Sequence, residues 1–99
     1  METINKIKFV CYDNKGKTCD RYTIVFPGIE TRKSQGMTLH YALSSNGFPF
    51  DPQGIGLHIE SPMGNHLGEK VSFDSLPKDL RRWILSEVLE MNAQTFMPI

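Results

Sequence analysis

Helical periodicity in this chain is concentrated in one place. Across "SLPKDLRRWILSEVLEMN", residues 75 to 92, Leu80, Ile84 and Val88 recur at four-residue spacing, Met91 follows, and Trp83 and Leu85 widen the stripe. Pro77 suits a first helical turn, Ser75 is a candidate cap just before it, and Asp79 lies near the positive end of the helix dipole. A single amphipathic helix must bury its stripe against something else. In a chain whose other apolar segments alternate with a period of two, that partner is a sheet.

Four such segments are clear. "NKIKFVCYD" predicts a strand over 5–12, and "TCDRYTIVF" a second over 18–26. Between them "DNKGK" is turn material, with Gly16 available for a positive φ. Pro27 and Gly28 are expected to end the second strand, leaving 29–36 as a connection with room for an extra helical turn. "MTLHYALS" predicts a third strand over 37–44 with Leu39, Tyr41 and Leu43 on one face, and "IGLHIES" a fourth, antiparallel to it. "EKVSF" is a short fifth strand or extended edge.

The expected fold is therefore α+β: one domain over 1–99, with an antiparallel sheet of four to five strands and one C-terminal α-helix packed on it. An apolar content of 39% is enough to form one core, which excludes wholesale disorder. Eleven basic residues balance eleven acidic ones, which argues against a strong sequence-independent grip on DNA or an anionic membrane. Residues 1–40 nonetheless carry seven basic against four acidic groups, so a weak nucleic-acid contact through the basic N-terminal hairpin is one reading. No apolar run approaches the roughly 18 to 20 residues of a membrane helix, and the N-terminus lacks a signal-peptide layout. A cytoplasmic location is expected. Cys11 and Cys19 fit reduced thiols, though a turn centred near Lys15 would let them face one another across the hairpin.

The segment "GFPFDPQGIGLHIESPMGNHLGEK", residues 47 to 70, holds five of the eight glycines, three of the six prolines and two of the three histidines. It reads either as a recognition or catalytic loop or as an irregular framework whose turns need Gly and Pro. Phe48 and Phe50, held between prolines, are ordered at low entropic cost, which suits insertion into a partner or stacking on a base. The opposing reading folds them inward to plug the end of the sheet.

Candidate chemistry is sparse. His58 and Glu60, at i and i+2 on one strand, aim at the same face, and His66 could complete a divalent-metal set if the "SPMGN" turn folded back. That would make a small metal-dependent enzyme. No H-E-x-x-H, P-loop, dinucleotide fingerprint or nucleophile elbow is present, and no cofactor is expected. The apolar tail "AQTFMPI" is expected to dock on the fold or supply a partner contact.

"CDRYTIVFPG" and "NGFPFDPQGIGLHIE…HLGEKVSFDSLPKDLRRWI" resemble a group of small bacterial and phage-type proteins of uncharacterised function. The shared features are an Asp-Arg-Tyr-Thr strand, a Pro/Gly-rich middle and an "HLG…F..LP" approach to a final helix. The resemblance implies a phage, mobile-element or host-accessory setting and brings no catalytic residues with it. It draws notice to Asp20, Arg21 and Tyr22; Asp20 and Arg21 point to opposite strand faces, and Arg21 could hydrogen-bond carbonyls of the irregular middle. The leading expectation is a protein-binding accessory module whose contact residues include Phe48, Phe50, Asp51, His66 and Arg21.

Overall fold

The computed structural model describes the backbone of residues 1–96 and the side chains of residues 1–91. The tail "AQTFMPI", expected to be a docking or contact segment, lies outside the residues whose side chains are described. Among the described residues, six strands run in the order β1 (Glu2–Ile4), β2 (Ile7–Asp13), β3 (Tyr22–Ser34), β4 (Met37–Ser45), β5 (Gly56–Ser61) and β6 (Glu69–Val71), followed by α1 (Lys78–Phe96). All pairings are antiparallel, and the main path is β1-β2-β3-β4-β5. β1 and β6 share the outer edge of β2 end to end: β1 pairs residues 7–9 and β6 pairs residues 11–13.

The α+β class stands, with β1 as the additional strand. It arises because Asn5 and Lys6, expected inside a strand, both take positive φ (51° and 68°) and turn the chain between Ile4 and Ile7. Asn tolerates the left-handed region better than most residues.

The larger correction concerns Pro27 and Gly28, which do not end β3. The strand continues to Ser34, and residues 29–36 contain no helical turn. Proline cannot donate to a ladder, so it survives inside a strand only where no donor is needed. Here β2 stops pairing at Val25, and the β3–β4 register shifts between Val25 and Glu30, leaving Pro27 in an irregularity. Beyond it a two-stranded ribbon closes through Gln35 and Gly36, again both at positive φ.

The β2–β3 connection is also longer than expected. β3 begins at Tyr22, and residues 14–21 form a loop in which Asn14 Oδ1 accepts hydrogen bonds from the Gly16 and Lys17 amides. Gly16 takes the expected positive φ of 83°. Cys11 sits opposite Ile24 and is buried, whereas Cys19 is exposed in the loop, so the two thiols do not face each other.

The main core lies between α1 and one sheet face. Leu80, Ile84 and Val88 are fully buried against Phe9, Cys11, Ile24, Phe26 and Leu43. Each such aliphatic side chain contributes roughly 1.5–3 kcal/mol of burial. Ser75 does not cap the helix: it closes a short 3₁₀ turn by donating its hydroxyl to the Ser72 carbonyl, and α1 begins at Lys78.

The opposite face carries a smaller cluster of Val10, Tyr12, Val25 and Ala42. Because β5 and β6 lie on opposite edges, residues 62–68 must cross that face, and Met63 and Leu67 pack on the cluster as they do so. Here the glycines have a backbone reason. Gly68 has a φ of 109°, and a Cβ there would collide with the Asp13 carbonyl. Half of the Gly/Pro-rich middle is thus a strap over the second core.

Candidate binding surface

The other half, residues 46–55, joins β4 to β5 and is fastened by its own polar groups. Asn46 Oδ1 accepts from the Phe48 amide (3.1 Å) and from the Ile55 amide (3.0 Å), tying the two ends together. Asp51 Oδ1 accepts from the Gln53 amide (2.9 Å), and the Asp51 carbonyl accepts from the Gly54 amide (2.8 Å). A side chain at Gly54 would overlap the Phe48 carbonyl, so the turn closes only around glycine. Gly47 is buried against Tyr22, which anchors the loop to the sheet end.

This framework presents rather than buries its aromatics. Phe48 is 55% exposed and Phe50 53% exposed. The Arg82 guanidinium from α1 stands over the Phe50 ring, 5.5 Å from its centroid. Phe48 and Asp51, with Asn46, Gln53 and Gly54, line a shallow hollow of about 180 Å³. Three of the sequence-selected residues therefore share one loop.

The other two are elsewhere. Arg21 does not reach the irregular middle; it grips Asp13 with a two-pronged contact, Nε to Oδ1 at 2.7 Å and Nη2 to Oδ2 at 2.9 Å. Its guanidinium also lies 5.0 Å from the Tyr22 ring centroid. Asp13 is the buried partner, and the Arg21 hydrogen bonds hold its carboxyl below the ordinary aspartate range. Asp20 stands in the loop before β3 and accepts from the Thr18 and Ser44 hydroxyls. His66 lies on the strap and, with Asp13, Asn14, Lys15, Lys17 and Glu69, borders a polar hollow of about 310 Å³.

Two of the three prospective metal ligands take other partners. Glu60 accepts from Arg32 Nε at 2.7 Å, His66 is on the strap, and His58 Nε2 is 2.6 Å from Glu87 Oε1 on α1. Among the described residues, no group of three or more His, Cys, Asp and Glu could hold a metal ion. The basic N-terminal residues are partly compensated too: Lys15 pairs with Glu69 at 3.4 Å, and Arg21 and Arg32 have the partners above.

The His58–Glu87 contact marks a site that the sequence reading missed. His58 lies opposite Leu43 and so faces the helix side at the outer edge of the sheet. Its ring stacks on Tyr41 (centroids 6.0 Å, planes 19° apart) and meets Trp83 at 6.0 Å. Ile29, Tyr41, His58, Glu87, Glu90 and Met91 surround a hollow of about 360 Å³. The signal available in the sequence was the flank of the helical stripe, where Trp83, Glu87 and Glu90 follow one another at four and three residues.

No protein-family model, curated protein or solved structure matches this chain closely enough to show a relationship. Among the described residues, no helix is long and apolar enough to cross a membrane.

Proposed function

We propose that this chain is a small protein-binding module that engages its partner through the β4–β5 loop, with Phe48 and Phe50 as anchors. One observation carries the reading: both rings are half exposed on a loop whose backbone is fixed by Asn46, Asp51 and Gly54. Exposing an aromatic ring to water gives up the roughly 1.5–3 kcal/mol that burying it would contribute. A loop that orders two such rings has already met the entropic cost of presenting them, so a partner pocket gains most of their burial. Aromatic anchors in such settings dominate interface energies.

The chemistry asked of the partner is an apolar pocket able to take two rings; Arg82, which stands over Phe50, is already paired with Asp79 at 3.6 Å. Asp51 and the shallow hollow beside Phe48 supply a polar rim. In the phage-type accessory setting implied by the sequence resemblance, that partner would be a host or structural protein in the cytoplasm. The compensation of Arg21, Lys15 and Arg32 by acidic partners supports a protein over a nucleic acid.

The test is comparative retention from extract of the cells that carry the protein. Immobilised wild-type protein should retain a specific protein that the folded Phe48→Ser/Phe50→Ser double variant loses. Identical retention by both would remove the loop as the contact surface.

A further inference from the structure

The hollow between β5 and the second half of α1 shares no residue with the β4–β5 loop and stands independently of it. Its lining combines two glutamates one helical turn apart, a tyrosine, a histidine and two apolar side chains. Neither a lysine nor an arginine is among these lining residues. One oxygen of Glu87 is engaged by His58 at 2.6 Å, and among the described residues Glu90 has no ion pair and the Tyr41 hydroxyl no hydrogen bond.

We propose that this hollow binds an alkylammonium group: a terminal –NH₃⁺ between Glu87 and Glu90, with its methylene chain along Ile29 and Met91. Three features select that chemistry. Glu90 has no ion pair among the described residues and Glu87 keeps one oxygen outside its contact with His58, so the hollow disfavours anions and favours a cation with hydrogen-bond donors. The Tyr41 hydroxyl, which makes no hydrogen bond among the described residues, can accept one N–H of the ammonium. Ile29 and Met91 give apolar surface that a bare ion would not use, and about 360 Å³ is within the size range of small-ligand clefts.

An inorganic divalent ion fits less well, since no metal-holding group of three acidic, His or Cys side chains exists among the described residues. The negative field of the hollow is felt by its own lining. The Tyr41 phenol is pushed up to about 12, first by burial and then by the charges of Glu87 and Glu90.

The same ammonium chemistry is carried by a free alkyl diamine and by the lysine side chain of a protein. Both can be titrated into ¹⁵N-labelled full-length protein, using 1,5-diaminopentane and Nα-acetyl-lysine methylamide, with 1-pentanol as the uncharged control. The expected result is saturable shifts in the amides of residues 29, 41, 58, 87, 90 and 91, with millimolar or tighter affinity.

Glu90→Gln keeps the exposed position polar and should weaken binding about fivefold or more, the usual scale for losing one charge-assisted contact. Tighter binding of the lysine mimic identifies a partner's side chain as the source; tighter binding of the diamine identifies a small molecule. No saturable shift with either amine overturns the proposal. So does equal binding of 1-pentanol, or an unchanged affinity in a Glu90→Gln variant whose spectrum shows the native fold.

Discussion

Asp13, at the end of β2, receives both prongs of the Arg21 guanidinium across the mouth of the β2–β3 connection, at 2.7 and 2.9 Å. Asp13 Oδ1 also accepts from the Lys15 amide at 2.8 Å, so one buried carboxylate fixes the strand end and the start of the turn together. A carboxyl held below its ordinary value of 3.8 stabilises the fold at pH values above that point. That stabilisation is lost as pH falls through the lowered native value. Asp13→Asn should therefore cost about 1–3 kcal/mol at neutral pH. Denaturant unfolding from neutral pH down into the acid range should also show a flatter acid limb in the variant than in the wild type.

The thiols should behave differently from each other. Burial, as the largest cause, pushes the Cys11 thiol up to about 12, while Cys19 is exposed. Reaction with a disulfide reagent at pH 8 should modify Cys19 promptly and Cys11 only when the protein unfolds. The expected stoichiometry is one thiol in native protein and two in denaturant.

Gly68 is expected to be intolerant of substitution. A methyl group there meets the Asp13 carbonyl and must also adopt a positive φ. Gly68→Ala should destabilise by about 2 kcal/mol or more, whereas Gly28→Ala, where a Cβ meets open space, should change stability far less. Thermal unfolding of the two variants side by side separates the close approach from a general effect of losing glycine.

The core makes the complementary case. Ile84 is fully buried at the centre of the α1–sheet contact, and Ile84→Ala should cost about 2–5 kcal/mol. Leu89→Ala, on the exposed side of the same helix, should cost much less, as measured by denaturant unfolding.

The parts of this fold that were legible in the sequence are those set by side-chain period. The helical stripe at Leu80, Ile84 and Val88, the alternation through Tyr41 and Leu43, and the positive φ at Gly16 are local patterns with local causes. The parts that were not legible depend on pairing. Pro27 sits inside β3 because β2 ends its pairing at Val25, which nothing near Pro27 encodes. Asp13 as the partner of Arg21, and Glu87 as the partner of His58, join residues 8 and 29 positions apart through the fold. The same limit hid the strap, whose glycines read as a loop until the crossing from β5 to β6 gave them a face to cover.

The most direct measurement of the binding role places a photo-reactive phenylalanine analogue at Phe48 and, in a second preparation, at Phe50. A third carries it at exposed Lys33 on the distal β3–β4 ribbon as a control. After irradiation in extract of the cells that carry the protein, a partner-binding loop gives one discrete protein adduct shared by positions 48 and 50 and missing at 33. No adduct at either loop position, or the same adducts at all three, would contradict a partner-binding β4–β5 loop.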